Sequence, residues 1–401
     1  MRPSLPSPIL LLALFTGCQG QVVDRSWNEP TFLQVELATD VATGSPEDLL
    51  PFSSEYTEIG LVITTLDHNA DPHPFEGELT LKVRPGLMEG NPTVTVVEGR
   101  YEGSVQIRNG FGPTRITATE DGGRFIDEGE TPSFATGVTE AIYYQFPTLA
   151  EMNLVEEGDT VCPGAGSAHE QNQLCEEFAE IRCEDRQVTV TALAANGFWV
   201  TDLADAAGEF NALFIYTFQA PGEDIELGRR LTLLNGNNQE YLATTQVSFP
   251  TYEVADEEPV SVPEPSVLAS SLCPSGSTDA NHQVLEGFES ATVTLENVVV
   301  PSSFASTSDE DYLDYIEYGQ WPVAHAGENC SFYVSSASSC PDFRPEADLT
   351  LEHVTGQLSE VWGKWILNIR SAADLPDGHC ENAPDGPPRR PQPRPRPVRT
   401  P

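Results

Sequence analysis

From residue 31 onward the chain is broken every few residues by Gly, Pro, Asn or Asp, and short β-type runs lie between the breaks. In the first third these runs cover residues 31–38, 58–66, 78–83, 93–97, 103–108, 115–119 and 138–146. Leu79-Thr80-Leu81-Lys82-Val83 and Val105-Gln106-Ile107 alternate apolar with polar. That period of two places one face of a strand in a core and the other in water. Seven short strands with turn signals between them predict an antiparallel sandwich over residues 30–147. A length of 401 residues suggests two or three domains, and the expected class is mainly β.

The phrases FEGELTLKVRPG (75–86) and GFGPTRITAT (110–119) resemble middle and late strands of bacterial immunoglobulin-like domains. The Cys…Trp…Cys core of antibody domains is absent. A second series begins at VTVTAL (188–193), continues through NGFWVTD (196–202), a run at 210–218 and ELGRRLTL (226–233), and ends in NNQEYLATTQVSF (237–249). This order resembles the small OB-type barrels that accompany bacterial extracellular nucleases and occur in surface lipoproteins. A weaker copy follows: residues 285–300 as its opening strand, 330–334 as a parallel to 198–200, a strand at 349–358, and WGKWILNIRSAAD (362–374) as its close. The resemblance implies one barrel over 148–255 and a second over 256–383, with 301–329 as an acidic insertion. A short helix is expected at 168–180, and acidic, Pro-rich residues 256–265 form a linker.

The first 18 residues read as a leader. Arg2 and the amino terminus are positive, residues 9–15 are apolar, and Phe15-Thr16-Gly17-Cys18 follows. Seven apolar residues fall far short of the ~20 that span a bilayer, which is the pattern of a cleaved export signal. The ending resembles the bacterial lipobox, which implies lipidation of Cys18, and Gln19 after it implies an outer-membrane or cell-surface address. Residues 19–29 read as a tether. Several acyl chains at ~0.8 kcal/mol per buried CH₂ would hold such an anchor permanently.

Acidic residues number 62 and basic ones 20, for a net charge of −42. Only Lys82 and Lys364 are lysines. Arg389, Arg390, Arg394, Arg396 and Arg399 all follow the last acidic residue, Asp385, so the body is more negative than the whole. Nucleic-acid binding depends on replacing phosphate counterions with Lys and Arg, so this composition disfavours it. Residues 384–401, rich in Pro and Arg, read as a disordered or polyproline-like tail. Besides Cys18 there are seven cysteines: Cys162, Cys175, Cys183, Cys273, Cys330, Cys340 and Cys380. An exported compartment permits disulfides, so three bridges and one spare thiol are expected, with Cys330 and Cys340 as the candidate local pair. Their spacings fit no zinc site.

Candidate chemistry is sparse. Asp67, Asn69 and Asp71 place oxygens at i, i+2 and i+4, and Glu78 is the twelfth residue from Asp67, as in a calcium loop; Pro72 stands where that loop needs Gly. Calcium is therefore the one cofactor to consider, against a plain solvated hairpin. Asp309, Glu310, Asp311 and Asp314 form another acidic cluster. No GxSxG or HExxH occurs, and His68, His73, His169, His282, His325, His353 and His379 are scattered, so no enzyme activity is expected. Phe198, Trp199, Phe214, Tyr216, Phe332, Tyr333, Trp362 and Trp365 lie on candidate barrel strands. They either fill cores or form a stacking surface, for which a glycan suits the acidic field better than a nucleic acid. The leading expectation is a membrane-anchored binding or scaffolding module for an unknown protein or glycan. The alternatives are an accessory or degenerate relative of extracellular nucleases and hydrolases, and a calcium-stabilised adhesion protein. An inward set of aromatics would suit a scaffold, and a solvent-facing groove a degenerate relative of those nucleases and hydrolases.

Overall fold

The computed structural model describes residues 32–90, 93–120, 134–153, 178–183, 186–272, 274, 280–306, 308–328, 330–336, 338–341, 343–361 and 363–376. The leader, Cys18, the tether and the Pro/Arg tail lie outside these, as do Cys162, Cys175, Cys273, Cys380, His169, His379 and Trp362. The chain is mainly β: a sandwich followed by two small barrels. Among the described residues no helix is long and apolar enough to cross a membrane.

The sandwich is built from β1 (Phe32–Leu37), β2 (Thr57–Leu66), β3 (Gly77–Arg84), β4 (Leu87–Met88), β5 (Thr93–Val96), β6 (Arg100–Arg108), β7 (Gly112–Thr119), β8 (Gly137–Val138) and β9 (Ile142–Tyr144). One sheet runs β1-β2-β6-β4; the other runs β5-β3-β7-β8, with β9 also on β7. The central pairings match the A-B-E and C-F-G order of immunoglobulin-type sandwiches. Alternation decides what faces inward: Ile59, Leu61 and Ile63 of β2 meet Leu79, Leu81 and Val83 of β3 in one core. The run at 138–146 divides into β8 and β9.

A short helix, α1 (Leu149–Asn153), leads into the first barrel. Asn153 Nδ2 donates to Ala212 O (3.0 Å), and Asn238 Nδ2 donates to Met152 O (3.1 Å), which fixes the helix on the barrel wall. The barrel strands are β10 (Phe178–Arg182), β11 (Val188–Ala194), β12 (Gly197–Asp202), β13 (Ala212–Tyr216), β14 (Leu231–Tyr241) and β15 (Thr244–Val254). They run β10-β14-β15-β13-β12-β11, with β13 and β15 parallel, and a Thr189–Arg230 bridge brings β11 back to β14. Discounting β10, this is the 1-2-3-5-4-1 circuit of an OB barrel. The expected helix at 168–180 is corrected at its end, where Phe178–Arg182 pairs with β14 as a strand.

The second barrel repeats the circuit and closes fully. Its elements are β16 (Ser266–Val267), α2 (Ala280–Gly287), β17 (Thr292–Val299), α3 (Glu310–Tyr318), β18 (Gln320–His325), β19 (Phe332–Ser335), β20 (Thr350–Val361) and β21 (Lys364–Asn368). The sheet runs β16-β17-β18-β19-β21-β20, and β17 also pairs with β20. Three strand assignments change. Residues 285–300 are not one strand: His282, Leu285 and Glu286 are all buried at helical spacing on α2, and strand alternation starts only at Thr292. Residues 301–329 are not a mere insertion, because they hold α3 and the second strand, β18. Phe332–Ser335 is therefore the third strand, and the counterpart of Gly197–Asp202 is Gln320–His325. Within α3, Asp309 is the N-cap, accepting from Asp311 N (3.1 Å), and Gly319 closes the helix in the left-handed region.

The barrels are joined directly. Phe210 N donates to Gly287 O (3.0 Å), Thr245 N donates to Glu289 Oε2 (2.9 Å), and the Thr244 hydroxyl donates to Glu360 O. The hairpin β14–β15 thus projects from the first barrel onto the second.

Candidate functional site

On β12 and β13 the period of two sorts the aromatics. Phe198, Leu213 and Ile215 point into the first barrel, and Trp199, Phe214 and Tyr216 point out. Trp199 lies opposite Phe214 across the antiparallel pair. Phe214 neighbours Gln246 on β15, which faces Gln239 on β14, so one row crosses four strands. The rings continue along the sheet. Centroid separations are 4.7 Å from Trp199 to Phe214, 6.3 Å from Phe214 to Tyr216, 4.4 Å from Tyr216 to Phe218 and 4.7 Å from Phe218 to Phe249.

This ladder floors a groove of about 700 Å³ between the barrels. Asn196, in the β11–β12 turn, and Tyr241 and Leu242, at the tip of the β14–β15 hairpin, form its rims. The second barrel supplies the opposite wall, chiefly Ser335, Ser359, Asn368 and Arg370. Arg370 is the sole charged side chain lining it among the described residues. Its guanidinium is held by Asp374 through Nη2 (2.7 Å) and Nε (3.1 Å), so its charge is matched inside the second barrel.

The rim is conformationally strained. Phe218 and Phe249 occupy left-handed backbone at φ 64° and 50°, and Leu242 and Ala243 at the hairpin tip have φ 58° and 69°. Bulky residues rarely adopt this region, which costs about 1–2 kcal/mol per residue. Phe249 is nonetheless 74% exposed and Phe218 44% exposed. Exposed aromatics gain little from burial, so folding alone does not account for rings held in strained backbone. Such strain concentrates where ligands are clamped.

Behind the same hairpin lies a buried polar cluster. His282, Glu286 and Glu360 are each over nine-tenths buried, with ligating atoms within 4.8 Å of one another. His282 Nε2 is 3.1 Å from Glu286 Oε1 and 3.7 Å from Glu360 Oε2. The donor types suit a divalent metal, but the ring orientation does not. Trp365 Nε1, which can only donate, points at His282 Nδ1 (3.3 Å), so the ring proton sits on Nε2 and faces Glu286. A metal-bound histidine has the reverse arrangement, with Nδ1–H donating outward. The cluster is a buried hydrogen-bonded joint. Glu289, fully buried beside it, has its pKa pushed well up by burial, with Glu286 and Glu240 adding repulsion.

The sequence candidates fall elsewhere. Asp67 Oδ1 accepts from Asn69 N (2.8 Å) and Asp71 N (3.0 Å), and these bonds hold its carboxyl below the usual range. Glu78 is on β3, and Asp67, Asp71 and Glu78 do not come together as His282, Glu286 and Glu360 do. Asp314 pairs with Lys364, and Asp311 accepts from the Tyr333 hydroxyl (2.9 Å). Cys330 and Cys340 are each disulfide-bonded. Cys183 is a free, buried thiol, pushed up to about 12 by burial, with Asp202 adding to the shift. Of the barrel aromatics, Phe332 and Trp365 fill the second core, and Tyr333 stands under Lys364 at 4.4 Å.

No family model matches the chain, and no curated protein matches it either. Among solved structures, one described as "Ca2+-stabilized adhesin helps an Antarctic bacterium reach out and bind ice" is similar at a TM-score of 0.18 and 11% identity. That alignment covers 86% of this chain and 76% of the adhesin chain. So remote a likeness carries no argument about function.

Proposed function

We propose that this chain is an exported protein, anchored through lipid on Cys18, that binds an extended ligand in the groove between its barrels and does not transform it. The outward aromatic ladder from Trp199 to Phe249 carries this reading. A scaffold would have turned those rings into its core, as Phe198 is turned. The face used also supports it, since strands 2 and 3 and the 1–2 and 4–5 loops of OB barrels are where such barrels take chain-like ligands. The barrels' resemblance to those beside extracellular nucleases favours an accessory role, presenting a polymer near the membrane. The apolar run at 9–15 and the resemblance of residues 15–18 to a lipobox are what support the location.

Titration of the purified chain with a panel of neutral and charged polymers, parent against Trp199→Ala, tests the groove. Binding that falls at least tenfold in the variant is expected. A panel with no Trp199-dependent binder would end this reading. Fatty-acid labelling that persists in Cys18→Ala would separately remove the anchor.

A further inference from the structure

The groove's chemistry narrows its ligand, granted the reading above that a ligand lies there. The floor is aromatic carbon. The polar groups around it are amides, from Asn196, Gln239, Gln246 and Asn368, and half-buried hydroxyls, from Ser335 and Ser338. Amides and hydroxyls each donate and accept, so they match a partner whose own polar groups do both. They offer no fixed charge to a polyion. Arg370 is already matched by Asp374, and the chain carries −42 overall. A phosphate or sulfate polymer would have to enter against that field with no cation set to receive it.

We propose that the groove holds an uncharged polysaccharide, its sugar rings lying on the ladder from Trp199 to Phe249 and its hydroxyls meeting the amides of both barrels and the serines of the second. Sugars present apolar C–H faces and hydroxyl edges, the two surfaces this groove complements. Ring-to-ring steps of 4.4–6.3 Å allow successive aromatics to serve successive sugar units. Because the polar wall comes partly from the second barrel, recognition requires both barrels.

The test is calorimetric titration of the full chain with neutral oligosaccharides of glucose, mannose, galactose and N-acetylglucosamine, beside a sulfated oligosaccharide and a dT oligonucleotide. At least one neutral oligosaccharide should bind, with affinity changing less than twofold between low and high salt. Trp199→Ala should weaken it at least tenfold. Phe249→Asn should do likewise; it replaces an exposed ring in left-handed backbone and so does not threaten folding. If only the charged probes bind, and both variants lose them, the groove reading survives and the polysaccharide is wrong. If no probe binds, or if neutral sugars bind equally to parent and variants, both fall.

Discussion

The rings of Phe218 and Phe249 stand 4.7 Å apart, and both residues hold left-handed backbone to put them there. Their strain and their exposure make opposite demands on any substitution. Phe249→Asn trades a bulky residue for one that tolerates this region, while losing a ring that is mostly in water. Thermal melts should show the variant more stable than the parent by about 1 kcal/mol, the lower end of the left-handed penalty. Ligand binding should fall in the same protein. A variant less stable than the parent would show that the ring serves the fold.

Glu289 makes the joint between barrels sensitive to pH. Its pKa in the folded protein lies above the ordinary carboxyl value, so the folded chain keeps a proton that the unfolded chain releases. Stability from this group is complete below about 4.5, the unfolded range, and is lost as pH rises through the folded pKa. The parent should therefore melt higher at pH 5 than at pH 8. Glu289→Gln, always uncharged, should reduce that difference and raise the melting temperature at pH 8. An unchanged pH dependence in the variant would mean that another group controls it.

Groove binding should follow the same titration. Glu240 and Thr245 of the β14–β15 hairpin face Glu289, and the hydroxyl of Thr245 donates to Glu240 Oε2 (2.8 Å). Gln239, Tyr241, Thr244 and Gln246 alternate with them and line the groove. Charging Glu289 sets it against Glu240 on the hairpin, a repulsion larger than the gain in the bond from Thr245 N, so affinity for a groove ligand should be weaker at pH 8 than at pH 5 in the parent, and equal in Glu289→Gln. Affinity that is flat with pH in the parent would uncouple the two faces.

The sandwich was legible because each strand alternates cleanly: Leu79, Leu81 and Val83 announce their face without help from distant residues. Phe198 and Trp199 were legible as strand residues, but which of them faced solvent depended on register with Phe214 and on the second barrel beside them. Residues 285–300 misled because α2 carries Leu285 and Glu286 directly into a β-branched run, with no Pro between, and the turn is made by Ser290 at φ 61°. His282 could not be grouped with Glu360 from sequence, since barrel closure alone brings them together across 78 positions of chain. Its spacing from Glu286, i to i+4 on a helix, was the available signal.

Cys183 should behave as an inert thiol. Burial leaves it almost wholly protonated at neutral pH, and only the thiolate is nucleophilic. The native protein at pH 8 should leave it unalkylated under conditions where the denatured chain reacts quickly, as mass spectrometry of the peptide would show. Rapid native labelling would place this segment in frequent local opening.

The pair Arg186–Asp202 pins the mouth of the first barrel. Asp202 is fully buried and accepts from Arg186 Nε (2.5 Å), Gln187 N (3.1 Å) and Ala204 N (3.0 Å). Arg186 also reaches Asp205. Removing one member of a buried pair leaves the other uncompensated and costs about 3–5 kcal/mol, whereas removing both relieves that charge. Arg186→Met should destabilise by about that amount in urea melts, and Asp202→Ala by less, because Arg186 keeps Asp205. Arg186 is a quarter exposed and can turn toward water, so Asp202→Ala loses mainly its backbone hydrogen bonds, and Arg186→Met leaves a charged carboxylate without its counterion. The double variant should therefore cost less than the sum of the singles, by about 1–3 kcal/mol of coupling. Strict additivity would mean that the barrel mouth opens enough for water to replace the pair.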